Sequence, residues 1–326
     1  MKKLSDIVRG LLKTSLITYI IVGLILSVTV DPRKITYLRL DALKDYANYP
    51  LLFTAGKKPF NRHDFLYTRR YYSLANKILP RLNLTDDFLG FCYYHLGHDD
   101  QAIRAYQRAL KKFPHHFWHH YNLGIIQARL KNYKKAAEHF KIFHGMGFEQ
   151  MAHLLKLEMA TPTSKDPAKN SYALSLDRYR DMYATSYRLA VLCSVFERDA
   201  SGTIELCAKA LKQDFIPDPG FYYYHMGWAF LQSQKPGQAL RWFEKANEQG
   251  LNHPDLHLYS GTAFKALGMK NKADYHLNMA RALKQKKTYQ KYSEQEFLLP
   301  EPVLHPQLYY VPDVNQILVT IFNEKK

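Results

Sequence analysis

Cysteine is scarce. The 326 residues hold three, Cys92, Cys193 and Cys207, and no two of them form a CxxC or CxxCH pair. A disulfide framework, a multi-cysteine zinc site and covalent haem attachment are thereby excluded. Acidic residues are also few, 29 against 46 Lys and Arg, so the chain carries +17 and favours anionic partners or surfaces. No P-loop, GxSxG, HExxH or dinucleotide glycine fingerprint occurs. Catalysis is not indicated, and no cofactor is implied. Long apolar runs are limited to one near the amino terminus, which excludes a polytopic membrane protein. What is abundant is aromatic surface: 25 Tyr and 18 Phe in a chain that is 14% aromatic. Rings in that number require extensive side-chain packing.

The single apolar run is uncharged from Thr14 to Val30 and follows Lys2, Lys3, Arg9 and Lys13. As a helix it rises about 25 Å at ~1.5 Å per residue. With Leu11 and Leu12 added, and Lys13 snorkelling toward headgroups, it reaches the roughly 30 Å of a bilayer core. Asp31-Pro32-Arg33-Lys34 ends it. A cleaved signal would need small residues near its end, and Ser27-Val28-Thr29 is a poor site, so an uncut anchor is expected. The stub 1–13 carries net +3, which keeps it cytoplasmic and places everything after residue 31 across the membrane, in the periplasm of a bacterium.

Beyond the anchor the chain repeats itself every 34 residues. Leu89-Gly90 recurs as Leu123-Gly124, and Met226-Gly227 as Ser260-Gly261. In the same phase Ala102, Tyr106 and Ala109 recur as Ala136, Phe140 and Phe143, and Ala239, Phe243 and Ala246 as Ala273, Leu277 and Ala280. Each trio lies on one helical face. The pattern resembles the tetratricopeptide repeat (TPR) family, which pairs Leu-Gly and a later Tyr in a first helix with Ala-x-x-x-Phe and Pro in a second. Residues 83–116 match best, with Leu89, Gly90, Tyr93, Ala102, Tyr106, Ala109 and Pro114. Units 117–150, 220–253 and 254–287 follow. Weaker copies are 184–217, through Thr203, Cys207 and Ala210, and 49–82, through Thr68, Tyr72, Ala75 and Pro80. Residues 151–183 keep the length but lose the signature, with Thr161 to Pro167 expected as a loop. The resemblance implies an all-α, TPR-type solenoid over 31–287: antiparallel helix pairs wound into a right-handed superhelix with a concave groove. The glycines are expected where paired helices cross closely, against the small face of Ala102, Ala136, Ala239 and Ala273.

The resemblance also implies where a partner sits, on one face of each first helix. Carried over, that face includes Asp87, Phe91 and Tyr94; Trp118, Tyr121, Ile125 and Ala128; Thr185 and Arg188; Tyr224, Trp228 and Leu231; and Asp255. The expected partner-binding groove is therefore Phe91, Tyr94, Trp118, Tyr121, Arg188, Tyr224, Trp228 and Leu231. An aromatic stripe at this spacing is equally a core, buried by contacts between units. A candidate ligand is also present in the chain itself. The tail 288–326 is proline-rich and apolar, and residues 297–326 are expected to pack on the solenoid as an extended strap, capping it or filling the groove. The histidines His115, His116, His119 and His120 have no acidic or cysteine ligand beside them in sequence, so no metal site is expected. The cationic stretch Arg281, Lys284, Lys286, Lys287 and Lys291 is a solvated face or a contact to anionic lipid. Nucleic acid is not an expected partner across a membrane. The expected function is a membrane-anchored adaptor that binds protein or peptide in its groove and serves the assembly or maturation of a cell-envelope complex. The alternative is a constitutive structural subunit of a larger membrane complex, its groove permanently occupied.

Overall fold

The computed structural model describes residues 55–56, 59–78, 84–112, 114, 118–145, 147–148, 167–286, 291–293 and 297–304. The apolar run 14–30, the flanking charges, residues 151–166, His115, His116, Lys287 and the tail beyond 304 lie outside them. Among the described residues no strand occurs, and no helix is long and apolar enough to cross a membrane.

Eleven helices in the described residues follow the 34-residue phase. α1 (Phe65–Ile78) is the second helix of unit 49–82. The pairs α2 (Leu84–His95) with α3 (Asp99–Lys112), and α4 (Trp118–Arg129) with α5 (Tyr133–Gly145), form the next two units. α6 (Pro167–Phe196) precedes α7 (Ala200–Ala210). The pairs α8 (Pro219–Gln232) with α9 (Pro236–Glu248), and α10 (Pro254–Ala266) with α11 (Lys270–Lys284), complete the series. Each helix packs mainly on its neighbours in sequence. First helices also meet across units, α4 with α6, α6 with α8 and α8 with α10, and so make a continuous inner face.

One stretch departs from the expected units. Residues 167–196 are a single 30-residue helix, so no break falls at 183/184. The physical reason is plain: between Ala168 and Phe196 there is neither Pro nor Gly to end it. Pro167, expected in a loop, opens this helix, because a first-turn residue has no intrahelical N–H bond to lose. Pro219, Pro236 and Pro254 open helices in the same way.

Within each unit the turn between helices is closed by one device. Gly97, Lys131, Arg198, Gln234 and Gly268 all have positive φ, from 57° to 74°. The N–H of the following residue donates back into the last turn of the first helix, as His98 does to Tyr93 (2.8 Å) and Asn132 to Gln127 (2.8 Å). This satisfies carbonyls the helix end would otherwise leave bare. Asp199 and Asp218 cap α7 and α8 at the other end, accepting from the N–H of Gly202 (2.8 Å) and Phe221 (3.3 Å).

The core is built from the repeated trios. Ala102, Tyr106 and Ala109, Ala136, Phe140 and Phe143, and Ala239, Phe243 and Ala246 are all buried. The glycines answer not the alanines, as expected, but the large member of each trio. A Cβ on Gly90, Gly124, Gly227 or Gly261 would fall 2.5–2.8 Å from Tyr106, Phe140, Phe243 or Leu277 respectively. Gly56 stands in the same relation to Tyr72, which extends the pattern into the first half of unit 49–82. In unit 184–217 the sizes are exchanged: Val191 occupies the glycine position and Cys207 the ring position, both fully buried. Such a swap preserves volume, the condition a close-packed core imposes.

All three thiols are free and buried, and burial pushes those of Cys92 and Cys193 up to about 12 and that of Cys207 higher still. The thiolate is the reactive form. Folded protein at pH 8 is therefore expected to be inert to a thiol-reactive chromogenic disulfide, and three thiols are expected to react once it is denatured. Stoichiometric labelling of the folded chain would contradict this packing.

Candidate peptide-binding groove

The inner face is not bare. Residues 291–293 and 297–304 lie along it and run from the last unit back to the first. Near the carboxy-terminal end, the backbone N–H of Tyr292 donates to Asp255 Oδ2 at 2.7 Å. Asp255 is a first-turn residue of α10, where a carboxylate also complements the helix dipole. The Tyr292 ring stands edge-on to Tyr224 (centroids 5.0 Å, 85°) and lies nearly parallel to His225 (6.0 Å, 26°). Burial leaves His225 neutral, its pKa pushed down to about 3 by desolvation despite the opposing pull of its bond to the Phe221 carbonyl. Farther along, Phe297 sits edge-on to both Tyr133 (5.7 Å) and Phe196 (5.0 Å).

The firmest contact is at Asn122 of α4, a fully buried residue. Its Nδ2–H donates to the Val303 carbonyl and its Oδ1 accepts from the Val303 N–H, both at 2.7 Å. One carboxamide thus satisfies both backbone groups of one residue, the pairing a neighbouring strand would make. Leu304 then enters the cluster of Tyr72, Phe88 and Phe91 and is 2% exposed. Between Leu299 and Val303 the chain bridges a cavity of about 400 Å³, lined by Phe91, Tyr121, Asp181, Met182, Thr185 and the strap itself. The side chain of Glu301 is largely exposed, its Oε2 3.9 Å from His95 Nε2.

The sequence-expected groove residues divide against this geometry. Phe91 and Tyr121 line the cavity, and Tyr224 meets Tyr292. Trp118 and Tyr121 are 1% and 2% exposed, Tyr224 and Trp228 3% and 9%, so neither pair is an open surface. Trp118 belongs to the main core cluster, and Leu231 packs against that cluster half-buried. Tyr94 is covered by the Arg129 guanidinium, 3.5 Å above its ring. Arg188 lies over Phe221 (4.9 Å) with a nitrogen 3.5 Å from Asp218 Oδ2, and is thus committed locally. Asp87, on the same face, is buried in a pair with His119. Sequence reasoning passed over Asn122. The available signal was its position four residues after Trp118 and three before Ile125, a carboxamide on an otherwise apolar face that needs buried partners.

Among the described residues no group of three or more His, Cys, Asp or Glu gathers as a metal site. His119 is paired to Asp87, and His120 to His139. Lys284, Lys286 and Lys291 of the cationic stretch are exposed.

The tetratricopeptide repeat family model matches residues 93–143, from the end of α2 to α5. No curated protein sequence matches the chain. Among solved structures, MamA is 18% identical, covering 63% of this chain and 93% of its own at a TM-score of 0.46. YrrB, described as a TPR protein with an unusual peptide-binding site, is 13% identical, with coverages of 66% and 93% and a TM-score of 0.47. PilF of Pseudomonas aeruginosa is 12% identical, with coverages of 78% and 98% and a TM-score of 0.42. The chain is thus an all-α solenoid of helix pairs, similar over residues 93–143 to the tetratricopeptide repeat family.

Proposed function

We propose that the chain is a membrane-anchored TPR adaptor whose inner face takes an extended peptide segment. Its anchor is the apolar run 14–30, with the amino terminus in the cytoplasm and the solenoid on the other side of the membrane. There it holds a protein partner during assembly or maturation of a cell-envelope complex. The observation that carries the reading is the two-bond grip of Asn122 on the Val303 backbone, since a face that satisfies the main chain of a non-helical segment is a face for peptides. Uncharged residues 14–30 and the net +3 of residues 1–13 support the anchor and its orientation. A second reading is favoured by the burial of Tyr292, Val303 and Leu304: a structural subunit whose groove is permanently filled by its own strap.

A photoreactive amino acid at Thr185, which lines the cavity, separates these readings in the native cell; exposed Lys134 on α5 is the control position. A discrete crosslinked protein from position 185 alone is expected. Crosslinks confined to the strap would favour the permanently filled groove, and identical products from both positions would defeat the adaptor.

A further inference from the structure

Two helix pairs repeat one polar contact. His120 of α4 faces His139 of α5, and His257 of α10 faces His276 of α11. In both, Nδ1 lies 3.1 Å from Nδ1 and the ring centroids are 5.3 Å apart. The register is shared as well. The first histidine stands four residues before the interhelical glycine, Gly124 or Gly261, and the second immediately before the side chain that covers it, Phe140 or Leu277. At the same two positions of unit 220–253 are Tyr223 and Trp242, whose rings stack at 5.8 Å and 25°. Packing alone is therefore met by two large rings, and two units instead turn a pair of nitrogens toward each other.

An N–H···N bond accounts for one state of such a pair, with one ring donating and the other accepting. The same spacing is also a chelating bite. With metal–nitrogen bonds of about 2.0–2.1 Å, a 3.1 Å separation subtends roughly 98°, between the octahedral and tetrahedral angles. His257 is already set for it: its Nε2 lies 3.1 Å from Asn252 Oδ1, so Nε2 carries the proton and Nδ1 presents a lone pair. His276 is held by a stacked Phe264 ring (5.3 Å, 26°). Burial keeps all four imidazoles neutral, His120 down to about 4, and neutral imidazole is the ligating form. His120, His139 and His276 are only half-buried, which leaves solvent access.

We propose that each pair, His120 with His139 and His257 with His276, is a two-imidazole chelate for a borderline divalent transition-metal ion such as Cu²⁺, Ni²⁺ or Zn²⁺. Water completes the coordination, and the ion clips the first helix of the unit to the second. The donor ring of the resting pair moves its proton from Nδ1 to Nε2, so both rings stay neutral and no net proton is released. The inference is independent of what the groove binds.

Copper(II) titrated into the full chain, followed by calorimetry and electron paramagnetic resonance, tests it. Two equivalents are expected, each with two equatorial nitrogens. The substitutions His120→Tyr with His139→Trp install the ring pair that the chain itself uses at Tyr223 and Trp242, and they are expected to remove one equivalent. His257→Tyr with His276→Trp is expected to remove the other. His276→Gln alone, the gentler change, is expected to weaken one site at least tenfold and reduce its spectrum to one nitrogen. Two tight equivalents retained in the fourfold variant, or single-nitrogen spectra from the unaltered chain, would overturn the assignment.

Discussion

Asn122→Ala is expected to detach the strap while leaving the solenoid helical. The substitution removes two hydrogen bonds at once and strands the N–H and C=O of a buried Val303. Each bond is worth roughly 0.5–1.5 kcal/mol net, and stranded buried groups cost about 1–3 kcal/mol. A loss of about 2–4 kcal/mol is the expected total, much of it local to the strap. Opening of the strap re-solvates Val303 and Leu304 but does not disturb the helix ladders. Amide exchange at residue 303 should thus rise by orders of magnitude, while exchange within α8 and α9 stays slow. Limited proteolysis should cut between Phe297 and Leu304 in the variant and not in the unaltered chain. Asn122→Asp refines the test. Its carboxylate keeps the acceptor for the Val303 N–H but loses the donor and brings a charge into a buried site, so it is expected to be no better than alanine. A protected residue-303 amide in Asn122→Ala would show that apolar packing at Leu304 holds the strap without the carboxamide.

The repeat was legible because its constraint is steric and periodic. Gly90, Gly124, Gly227 and Gly261 recur with Tyr106, Phe140, Phe243 and Leu277 sixteen residues on, and each pair proves to be in contact. Val191 with Cys207 was harder to read, because there the bulk crosses to the other helix and the residue names change although the volume does not. The turns were legible only in part. Gly97 and Gly268 announce a left-handed residue, but Lys131, Arg198 and Gln234 adopt the same φ with a side chain, and composition gives no sign of it. Helix α6 hid its length for a related reason: a loop was inferred from Pro167, and a first-turn proline carries the opposite meaning. At the groove, the proline-rich apolar tail announced a strap that caps the solenoid or fills the groove, but not which of the two or which side chains it meets. The resemblance to tetratricopeptide repeats implied Phe91, Tyr121 and Tyr224 on the inner face, and nothing local to those helices says which residues, some 70 to 210 positions away, meet them. Asn122 was missed because its partner is a backbone, which has no signature of its own.

The steric reading of the glycines makes the second large prediction. Alanine in a helix interior is favoured over glycine by roughly 1 kcal/mol, so on propensity alone every Gly→Ala change here should stabilise. Packing reverses the sign where the neighbour cannot yield. A Cβ at Gly124 would lie 2.6 Å from Phe140 Cε1, and at Gly227 2.5 Å from Phe243. Both rings are buried, so they have little room to yield. Overpacking of this kind costs about 1–3 kcal/mol, commonly more than the propensity gain. Gly124→Ala and Gly227→Ala are therefore expected to lower the unfolding midpoint. At Gly261 the opposing group is the half-buried, flexible Leu277 at 2.8 Å, in the last unit, and the loss there is expected to be smaller. The chain thereby supplies its own rescue. Combining Gly124→Ala with Phe140→Leu reproduces the Leu of the Gly261 pair opposite a new methyl, so the two changes are expected to cost less together than their separate effects add to. Denaturant unfolding of the two single variants and the double variant completes the cycle. A coupling near zero, or a stabilised Gly124→Ala, would mean that the helices part freely at this crossing. The close approach would then be a consequence of the small residue and not the reason for it.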